Sequence, residues 1–361
     1  MLSTSRTTRL IALLAIPTLL LLALACSPGG GQPGAAGSTI SLQGAGATFP
    51  NPLYQKWLSE YGKLHPNVRI DYQSIGSGGG IKQIKEQTVD FGASDAPMKD
   101  EDLKSAPAEL VHVPTVLGAV VLTYNLAGIE KPLRFSPDVA ADIFLGKVKR
   151  WDDARIKTDN PEAQLPAADI TVVHRSDGSG TSAVFTDYLS KVSAEWKEQV
   201  GAGTSPKWPV GLGGKGNEGV TGQVKQTPNT IGYVELAYAI QNKLPVALLK
   251  NKAGDFVEPS FDAVTAAAAE SLPTTPDDLR VSITDAAGKG TYPISSYTYI
   301  LVYKEQKDAA KGKALIDFLW WGIHDGEQFA RDLNYAPLPA EIVKRAEAKI
   351  NSISSAGKPL R

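Results

Sequence analysis

A glycine- and hydroxyl-rich stretch at residues 174–182 (HRSDGSGTS) most constrains the fold of this chain. It follows a β-branched run at residues 170–173 that predicts a buried strand, and it precedes residues 183–192, where apolar side chains recur at helical spacing. A strand, a tight turn and a helix leave free backbone N–H groups at the helix start, and the helix dipole there favours an anion. Taken alone, the stretch fits equally well an ordinary turn in which Asp177 or Ser179 caps the helix.

Two further stretches repeat this arrangement. Residues 44–50 (GAGATFP) lead into apolar positions at helical spacing over residues 53–61, and residues 76–80 (GSGGG) follow a strand pattern at residues 68–72. Glycine weakens the interior of a helix or strand, so clusters at helix starts indicate unusual dihedrals or close backbone approach. Each stretch also carries Ser or Thr. The three together predict that several helix N-termini converge on one small anion.

Length and charge limit the classes of protein and partner. A chain of 361 residues exceeds the usual size of one hydrophobic core, which favours two lobes. The net charge of −1 gives no reason to expect nucleic acid or an anionic membrane surface as the main partner. Cys26 is the only cysteine, so an intrachain disulfide and a cysteine metal cluster are excluded. We expect no metal and no cofactor.

The first 38 residues predict export and anchoring. Residues 1–25 have the apolar segment of a secretory signal peptide, too short for a comfortable membrane span. Cys26 follows Ala23-Leu-Ala, which resembles the site cleaved before a lipid-modified cysteine, although bacterial lipoproteins more often carry Leu in place of Ala23. An incidental cysteine behind a plain signal peptide is the alternative. Residues 26–38 predict a lipidated cysteine and a flexible tether, which would hold an extracytoplasmic protein at the outer face of the cell membrane.

The remaining chain predicts an α/β fold. Strand and helix patterns alternate from residue 39, which is typical of a doubly wound sheet. Residues 89–97 predict a strand with Asp95 at its carboxyl end, where ligands of open α/β sheets collect. The apolar run at residues 111–124 is long enough to pass from one lobe to another, and a strand at residues 297–303 could return. We expect two lobes, lobe I comprising residues 39–123 and 292–361, and lobe II comprising residues 124–291.

Six collinear segments resemble the substrate-binding protein of the high-affinity phosphate ABC importer. These segments are residues 44–50 (GAGATFP), 72–80 (YQSIGSGGG), 89–97 (VDFGASDAP), 175–182 (RSDGSGTS), 208–216 (WPVGLGGKG) and 231–235 (IGYVE). The resemblance implies a two-lobe, type II-like periplasmic-binding-protein fold, each lobe a mixed sheet flanked by helices, with dehydrated phosphate in the cleft between them. It also implies a monomer that delivers phosphate to permease subunits, with ATPase subunits behind them, and that touches the membrane only through its lipid.

The resemblance also implies the binding residues. Asp177 would pair with Arg175 and hold its guanidinium, and Asp95 would accept the proton of phosphate, which sulfate lacks near neutral pH. We therefore expect Asp95 to reject sulfate. Gly78 and His174 depart from common residues of the family beside these contacts. The implied phosphate contacts are Thr48, Phe49 through its backbone N–H, Ser77, Asp95, Arg175, Ser179, Gly180 through its backbone N–H, and Thr181.

Two other functions are compatible with parts of the sequence. The chain could bind another tetrahedral oxyanion such as sulfate, although Asp95 argues against it. It could hydrolyse phosphoesters, but Gly-x-Ser-x-Gly is absent around Ser77 and Ser179, and only His174 is local. Residues 211–216 (GLGGKG) match a dinucleotide-binding pattern but lack the strand that should precede it, so we expect a structural loop there. We expect a binding protein and no enzyme.

Overall fold

The computed structural model describes Thr39–Arg361. The predicted signal peptide (residues 1–25) and the predicted lipidated cysteine and tether (residues 26–38) lie outside the described residues. Within Thr39–Arg361, none of the helices is both long enough and apolar enough to cross a membrane.

The described residues form strands and helices that alternate over most of the chain. The strands are β1 Ile40–Gly46, β2 Val68–Ser74, β3 Phe91–Ser94, β4 Leu110–Asn125, β5 Arg134–Phe135, β6 Thr171–Arg175, β7 Leu212–Gly214, β8 Thr230–Glu235, β9 Leu248–Lys250, β10 Phe256–Val257, β11 Ser295–Tyr303, β12 Ser354–Ser355 and β13 Lys358–Pro359. The α-helices are α1 Asn51–Leu64, α2 Ser77–Lys85, α3 Asp100–Lys104, α4 Pro137–Phe144, α5 Ala154–Asp159, α6 Gly180–Val192, α7 Ala194–Gln199, α8 Gly216–Gln226, α9 Leu236–Gln241, α10 Phe261–Ser271, α11 Ala309–Gly322 and α12 Ala340–Asn351. Three short 3₁₀ segments are Leu272–Thr274, Asp325–Phe329 and Arg331–Leu333.

A mixed sheet organises the fold. Its strand order is β2-β1-β3-β11-β4-β8-β6-β7. On one side of β4, β1 runs parallel to β2 and β3, and on the other side β6 runs parallel to β7 and β8. The central strands β11 and β4 are antiparallel to their neighbours. The α/β fold class predicted from the alternating pattern is confirmed.

Strand β4 joins the two halves of this sheet. It is 16 residues long and buried except at its last residue, which matches the apolar run in the sequence. Its residues from Leu110 to Ala119 pair with β11, whereas those from Val120 to Asn125 pair with β8. A second segment of the chain lies close to the point in β4 where the pairing partner changes. There the Val120 N–H donates to the Ile294 carbonyl at 2.9 Å.

The helices beside the first half of the sheet are held by aromatic packing. Buried Tyr54, Trp57 and Tyr61 recur along one face of α1, as their spacing predicts. The Trp57 ring lies edge-on to Trp321 of α11, with ring centroids 6.4 Å apart. Trp321 is a core residue, while the partly buried Trp320 lies under the Arg361 guanidinium at 3.7 Å. The tryptophan pair therefore packs the core with one ring and a helix surface with the other.

The strand and helix starts predicted from local patterns are found in the structure. The glycine- and hydroxyl-rich stretch lies between β6 and α6, and Ser179 caps α6 by accepting from the Ser182 N–H at 2.9 Å. The loop expected at residues 211–216 contains the short edge strand β7, which pairs with β6. It leads directly into α8 at Gly216, so a fourth strand–turn–helix unit lies beside the predicted three.

Candidate functional site

The predicted contact residues meet where β1, β3 and β6 end. Thr48 and Phe49 precede α1, Ser77 begins α2 and Asp95 directly follows β3. Arg175 ends β6, and Ser179, Gly180 and Thr181 form the start of α6. Thr48, Asp95 and Arg175 expose only 2%, 1% and 2% of their surfaces, and the other predicted contacts are also buried. The structure thus brings residues of distant segments into one enclosed, polar position.

Several backbone N–H groups at this position are buried and unpaired. Among the described residues, no carbonyl or side chain accepts a hydrogen bond from the amides of Phe49, Ser77, Gly180 or Thr181. Buried N–H groups are almost always paired, because an unpaired one costs about as much as a lost hydrogen bond. Three helix starts supply these amides, and each start carries partial positive charge. The arrangement is suited to the oxygens of a small anion.

Arg175 contributes a charged fork that is fixed in place. Its Nε and Nη2 atoms donate to the two carboxylate oxygens of Asp177 at 2.8 and 2.5 Å, and its Nη1 donates to the Thr181 hydroxyl at 3.3 Å. Burial alone would raise the pKa of Asp177, but the Arg175 guanidinium and the Gly216 N–H outweigh burial and lower it. Asp177 is therefore an anion that orients the guanidinium.

Asp95 is an acid among hydrogen-bond donors. The Thr298 hydroxyl donates to its Oδ1 at 2.9 Å, and the Ser77 hydroxyl lies 3.4 Å from its Oδ2. Burial raises the pKa of Asp95 to about 7, although Thr298, Arg175 and Ser77 all act to lower it. A carboxyl group with such a pKa can share a proton with a ligand near neutral pH.

Close backbone contact joins the glycine stretches. The Gly78 N–H donates to the Gly178 carbonyl at 2.8 Å, which directly connects the start of α2 to the turn before α6. A Cβ atom on Gly180 would lie 2.2 Å from Ser77 Oγ and 2.4 Å from Asp95 Oδ2. Only glycine permits this approach, as the clusters of glycine in the sequence predict.

Two tyrosines hold the turn between β1 and α1 from behind. The Tyr238 hydroxyl donates to the Thr48 carbonyl and the Tyr335 hydroxyl to the Phe49 carbonyl, each at 2.6 Å. The Tyr335 oxygen also lies 3.1 Å from Glu235 Oε2, and burial raises the pKa of Glu235 well above its ordinary value. Glu235 Oε2 also accepts from the Ala237 N–H at 2.8 Å, while its Oε1 has no hydrogen-bond partner among the described residues. The two tyrosines therefore fix the backbone of this turn.

His174 and a surface pocket take no part in this site. The His174 ring stacks on Trp208 with centroids 4.9 Å apart, and its Nδ1 lies near the Arg175 carbonyl. A surface pocket of about 480 Å³, lined by residues 128–134 and 159–164, contains none of the predicted contacts. Within Thr39–Arg361, no group of three or more His, Cys, Asp or Glu side chains is arranged to hold a metal ion.

Sequence reasoning missed residues that complete the site. Thr298 holds Asp95, and Asn217 donates to the hydroxyls of both Thr48 and Thr181. Thr298 lies 203 residues from Asp95 along the chain, so no local pattern indicates it. Asn217 could have been suspected, because it directly follows the glycine pattern of residues 211–216.

The chain is similar to one class of binding protein and, within that class, to one family. Residues 33–320 match the family described as a PBP superfamily domain, so the chain has the two-lobe fold of the periplasmic binding proteins. It is 49% identical over 311 residues to the phosphate-binding protein PstS of Xylella fastidiosa (strain Temecula1 / ATCC 700964), covering 86% of this chain and 85% of that protein. It is 48% identical over 323 residues to the PstS of Pasteurella multocida (strain Pm70), covering 89% and 93%. The chain belongs to the PstS family of phosphate-binding proteins.

A solved structure agrees with this fold. A high-affinity periplasmic phosphate-binding protein (PfluDING), bound with phosphate at pH 8.5, superposes with a TM-score of 0.69. The superposition covers 86% of this chain and 93% of that protein at 21% sequence identity. At this identity the comparison supports the architecture of the chain.

Proposed function

We propose that this protein binds inorganic phosphate outside the cytoplasm and delivers it to an ABC importer. The phosphate oxygens would accept hydrogen bonds from backbone amides, hydroxyls and one guanidinium, while Asp95 accepts the phosphate proton. Asp177 would hold the guanidinium without touching phosphate. The proposed contacts are Thr48, Phe49, Ser77, Asp95, Arg175, Ser179, Gly180 and Thr181.

The observation that carries this proposal is the group of buried, unpaired amides at Phe49, Ser77, Gly180 and Thr181. Buried donors that have no acceptor among the described residues favour the binding of an anion. Because they surround a small position from several sides, they suit a tetrahedral anion. The carboxyl group of Asp95 distinguishes the candidates. It faces the same position and would repel sulfate, but it can share a proton with phosphate.

We further propose that phosphate binding closes two lobes, formed by residues 39–123 with 292–361 and by residues 124–291. Support comes from the change of pairing partner within β4 and from the second chain passage beside it. Thr48, Ser77 and Asp95 would then come from lobe I, and Arg175 and the start of α6 from lobe II. Phosphate held by both lobes stabilises the closed state, because the open state lacks half of these contacts.

Delivery requires that the protein stay near the importer. A lipid on Cys26 and the tether of residues 26–38 would hold the protein, as a monomer, close to the permease subunits. Mass spectrometry of the membrane-extracted protein tests this directly, because an acylated N-terminal Cys26 adds the mass of its lipid. An unmodified Cys26 would contradict anchoring but not phosphate binding.

Calorimetric titration of phosphate-free protein with phosphate and with sulfate tests the proposed function. We expect tight binding of one phosphate per chain and no measurable heat from sulfate at the same concentration. A chromogenic phosphomonoester serves as the test for the hydrolase alternative, and we expect no release of chromophore. Equal affinity for both anions would indicate a general oxyanion binder, and absence of phosphate binding would reject the proposal.

A further inference from the structure

We propose that Asn217 fixes the direction of two hydroxyl protons in the anion site and is therefore a positioning residue for phosphate binding. Asn217 lies in the first turn of α8, is completely buried, and is absent from the contacts proposed above. This inference rests on the proposed function, because phosphate is the acceptor it assigns to the two hydroxyls.

The orientation of the Asn217 amide follows from its hydrogen bonds. The Glu235 backbone N–H donates to Asn217 Oδ1 at 3.0 Å, so this end of the amide has to be the oxygen. The Nδ2 group consequently faces the other way, where it donates to the Thr48 hydroxyl at 2.7 Å and to the Thr181 hydroxyl at 3.1 Å. One NH₂ group thus donates both of its hydrogens to two residues that are proposed to contact phosphate. Thr48 comes from proposed lobe I and Thr181 from proposed lobe II.

The hydrogen bonds at the hydroxyls of Thr48 and Thr181 leave each hydroxyl able to act only as a donor. A threonine hydroxyl accepts two hydrogen bonds and donates one. Thr48 Oγ1 accepts from Asn217 Nδ2 and from the Asn217 backbone N–H at 3.3 Å. Thr181 Oγ1 accepts from Asn217 Nδ2 and from Arg175 Nη1 at 3.3 Å. Both oxygens therefore have their accepting capacity filled.

Neither hydroxyl donates to any other described residue, although both threonines are buried. The remaining O–H of each therefore serves a guest in the site. A hydroxyl can ordinarily act as donor or acceptor, but here Asn217 makes Thr48 and Thr181 donors only. This favours an anion whose oxygens accept, and it disfavours a ligand that presents hydrogen-bond donors at these positions.

A double-mutant cycle tests whether Asn217 acts through the hydroxyls. Phosphate affinity is measured by calorimetry for Asn217→Ala in the wild-type, Thr48→Val and Thr181→Val backgrounds. Since hydrogen bonds to charged groups are the stronger ones, we expect Asn217→Ala to weaken binding about 10- to 100-fold in the wild type. Each valine background lacks one of the two hydroxyls to which Asn217 donates. In these backgrounds we expect Asn217→Ala to weaken phosphate binding by only about 3- to 10-fold.

Asn160→Ala is the matched control, because Asn160 is also buried and hydrogen-bonded, but its partners are Arg134 of β5 and Ile156 of α5 and none of the proposed contacts. Its phosphate affinity should equal that of the wild type. Thermal unfolding without phosphate establishes that each variant is folded. If Asn217→Ala does not fold, Asn217→Asp decides, because it keeps the side-chain volume but replaces the donor with an acceptor. We expect Asn217→Asp to lose at least as much affinity as is predicted for alanine.

The outcomes separate this inference from the proposed function. Wild-type protein that does not bind phosphate would reject the proposed function. Wild-type binding with an equal loss for Asn217→Ala in all three backgrounds would assign Asn217 to packing alone and overturn this inference. Near wild-type affinity of Asn217→Ala or Asn217→Asp would overturn it as well.

Discussion

The carboxyl group of Asp95 explains how an anion site can contain an acid. Thr298 and Ser77 donate toward its two oxygens, and burial holds its pKa at about 7. Near neutral pH the carboxyl and a phosphate between them carry one proton that either can donate. Sulfate carries no proton, so an ionised Asp95 would face its lone pairs. In the proposed function, rejection of sulfate would thus be a pH-dependent property of one side chain.

Asp95→Asn should admit sulfate. The amide cannot ionise and can donate a hydrogen bond, so we expect the affinity for sulfate at pH 8 to rise by at least about 100-fold. The upper limit is about 10⁴-fold, the discrimination that a missing hydrogen-bond partner can cause. In the wild type, sulfate affinity should increase as the pH falls below about 7, where Asp95 becomes neutral. The variant should show no such pH dependence. Calorimetric titrations between pH 5 and pH 8 measure both effects, and unchanged rejection of sulfate by Asp95→Asn would refute the role of this residue.

Asp95 should also make stability without ligand depend on pH. Its pKa rises from an ordinary 3.8 to about 7 on folding, so the folded state favours the protonated acid. The resulting stabilisation is complete below about pH 4 and is lost as the pH rises through 7, a difference of about 4 kcal/mol. Glu235 acts in the same direction, and because the Asp95 charge helps to raise the pKa of Glu235, Asp95→Asn also removes that part of the pH dependence. Denaturant unfolding of both proteins in phosphate-free buffer measures their free energies of unfolding. As the pH rises from 4 to 8, the free energy of unfolding of the wild type should decrease relative to that of the variant. A constant difference from pH 4 to pH 8 would mean that this pKa is not raised.

At the level of elements, the site is built from helix starts. The starts of α1, α2 and α6 supply amides, and α8 supplies Asn217, so four strand–turn–helix units meet at one point. Gly180 allows α6 to approach Ser77 and Asp95 more closely than any other residue would permit. The position of α6 therefore determines how closely these groups can surround a ligand.

Gly180→Ala should weaken phosphate binding without unfolding the protein. Its added Cβ would lie 2.2 Å from Ser77 Oγ, so α6 has to move away from the site. Overpacking of this kind costs about 1–3 kcal/mol, which corresponds to a loss of about 10- to 100-fold in affinity. Gly222→Ala in α8 is the matched control, because nothing lies within 4 Å of its added Cβ and affinity should be unchanged. Equal phosphate affinities of the two variants by calorimetry would contradict the close approach.

Helices and strands could be predicted from the sequence where residues close together in the chain form a recognisable pattern. β6, α6 and β11 follow from runs of apolar residues and from the turn residues between them. The partners of those elements could not be read in this way. The Thr48–Asn217 contact spans 169 residues, and only the paired sheet brings the two together. The resemblance to a known family supplied the proposed contacts, but Thr298 and Asn217, which hydrogen-bond to three of them, became visible only across the fold.

For the whole molecule, the enclosed site implies motion. The proposed contact residues are all buried, with Thr48, Asp95 and Arg175 exposed by 2% or less, so a ligand could not reach them without movement of the chain. Strand β4 and the segment near Ile294 connect the two proposed lobes side by side. A hinge needs only a few residues that absorb the change in backbone dihedrals, and these two connections offer such residues side by side. We therefore expect an open state, without ligand, that differs mainly by rotation about these strands.

Small-angle X-ray scattering can detect this opening. A compact unit of the size of Thr39–Arg361 has a radius of gyration of roughly 20 Å, and rotation of the lobes about the hinge increases it. Adding phosphate to wild-type protein should reduce the radius, because phosphate binds the closed state more tightly and shifts the population toward it. Sulfate should leave the radius unchanged at the same concentration. Gly180→Ala should show a smaller reduction even at saturating phosphate, since its α6 cannot approach α2 fully. A radius that is identical with and without phosphate in wild-type protein that binds phosphate would exclude closure as the signal for the importer.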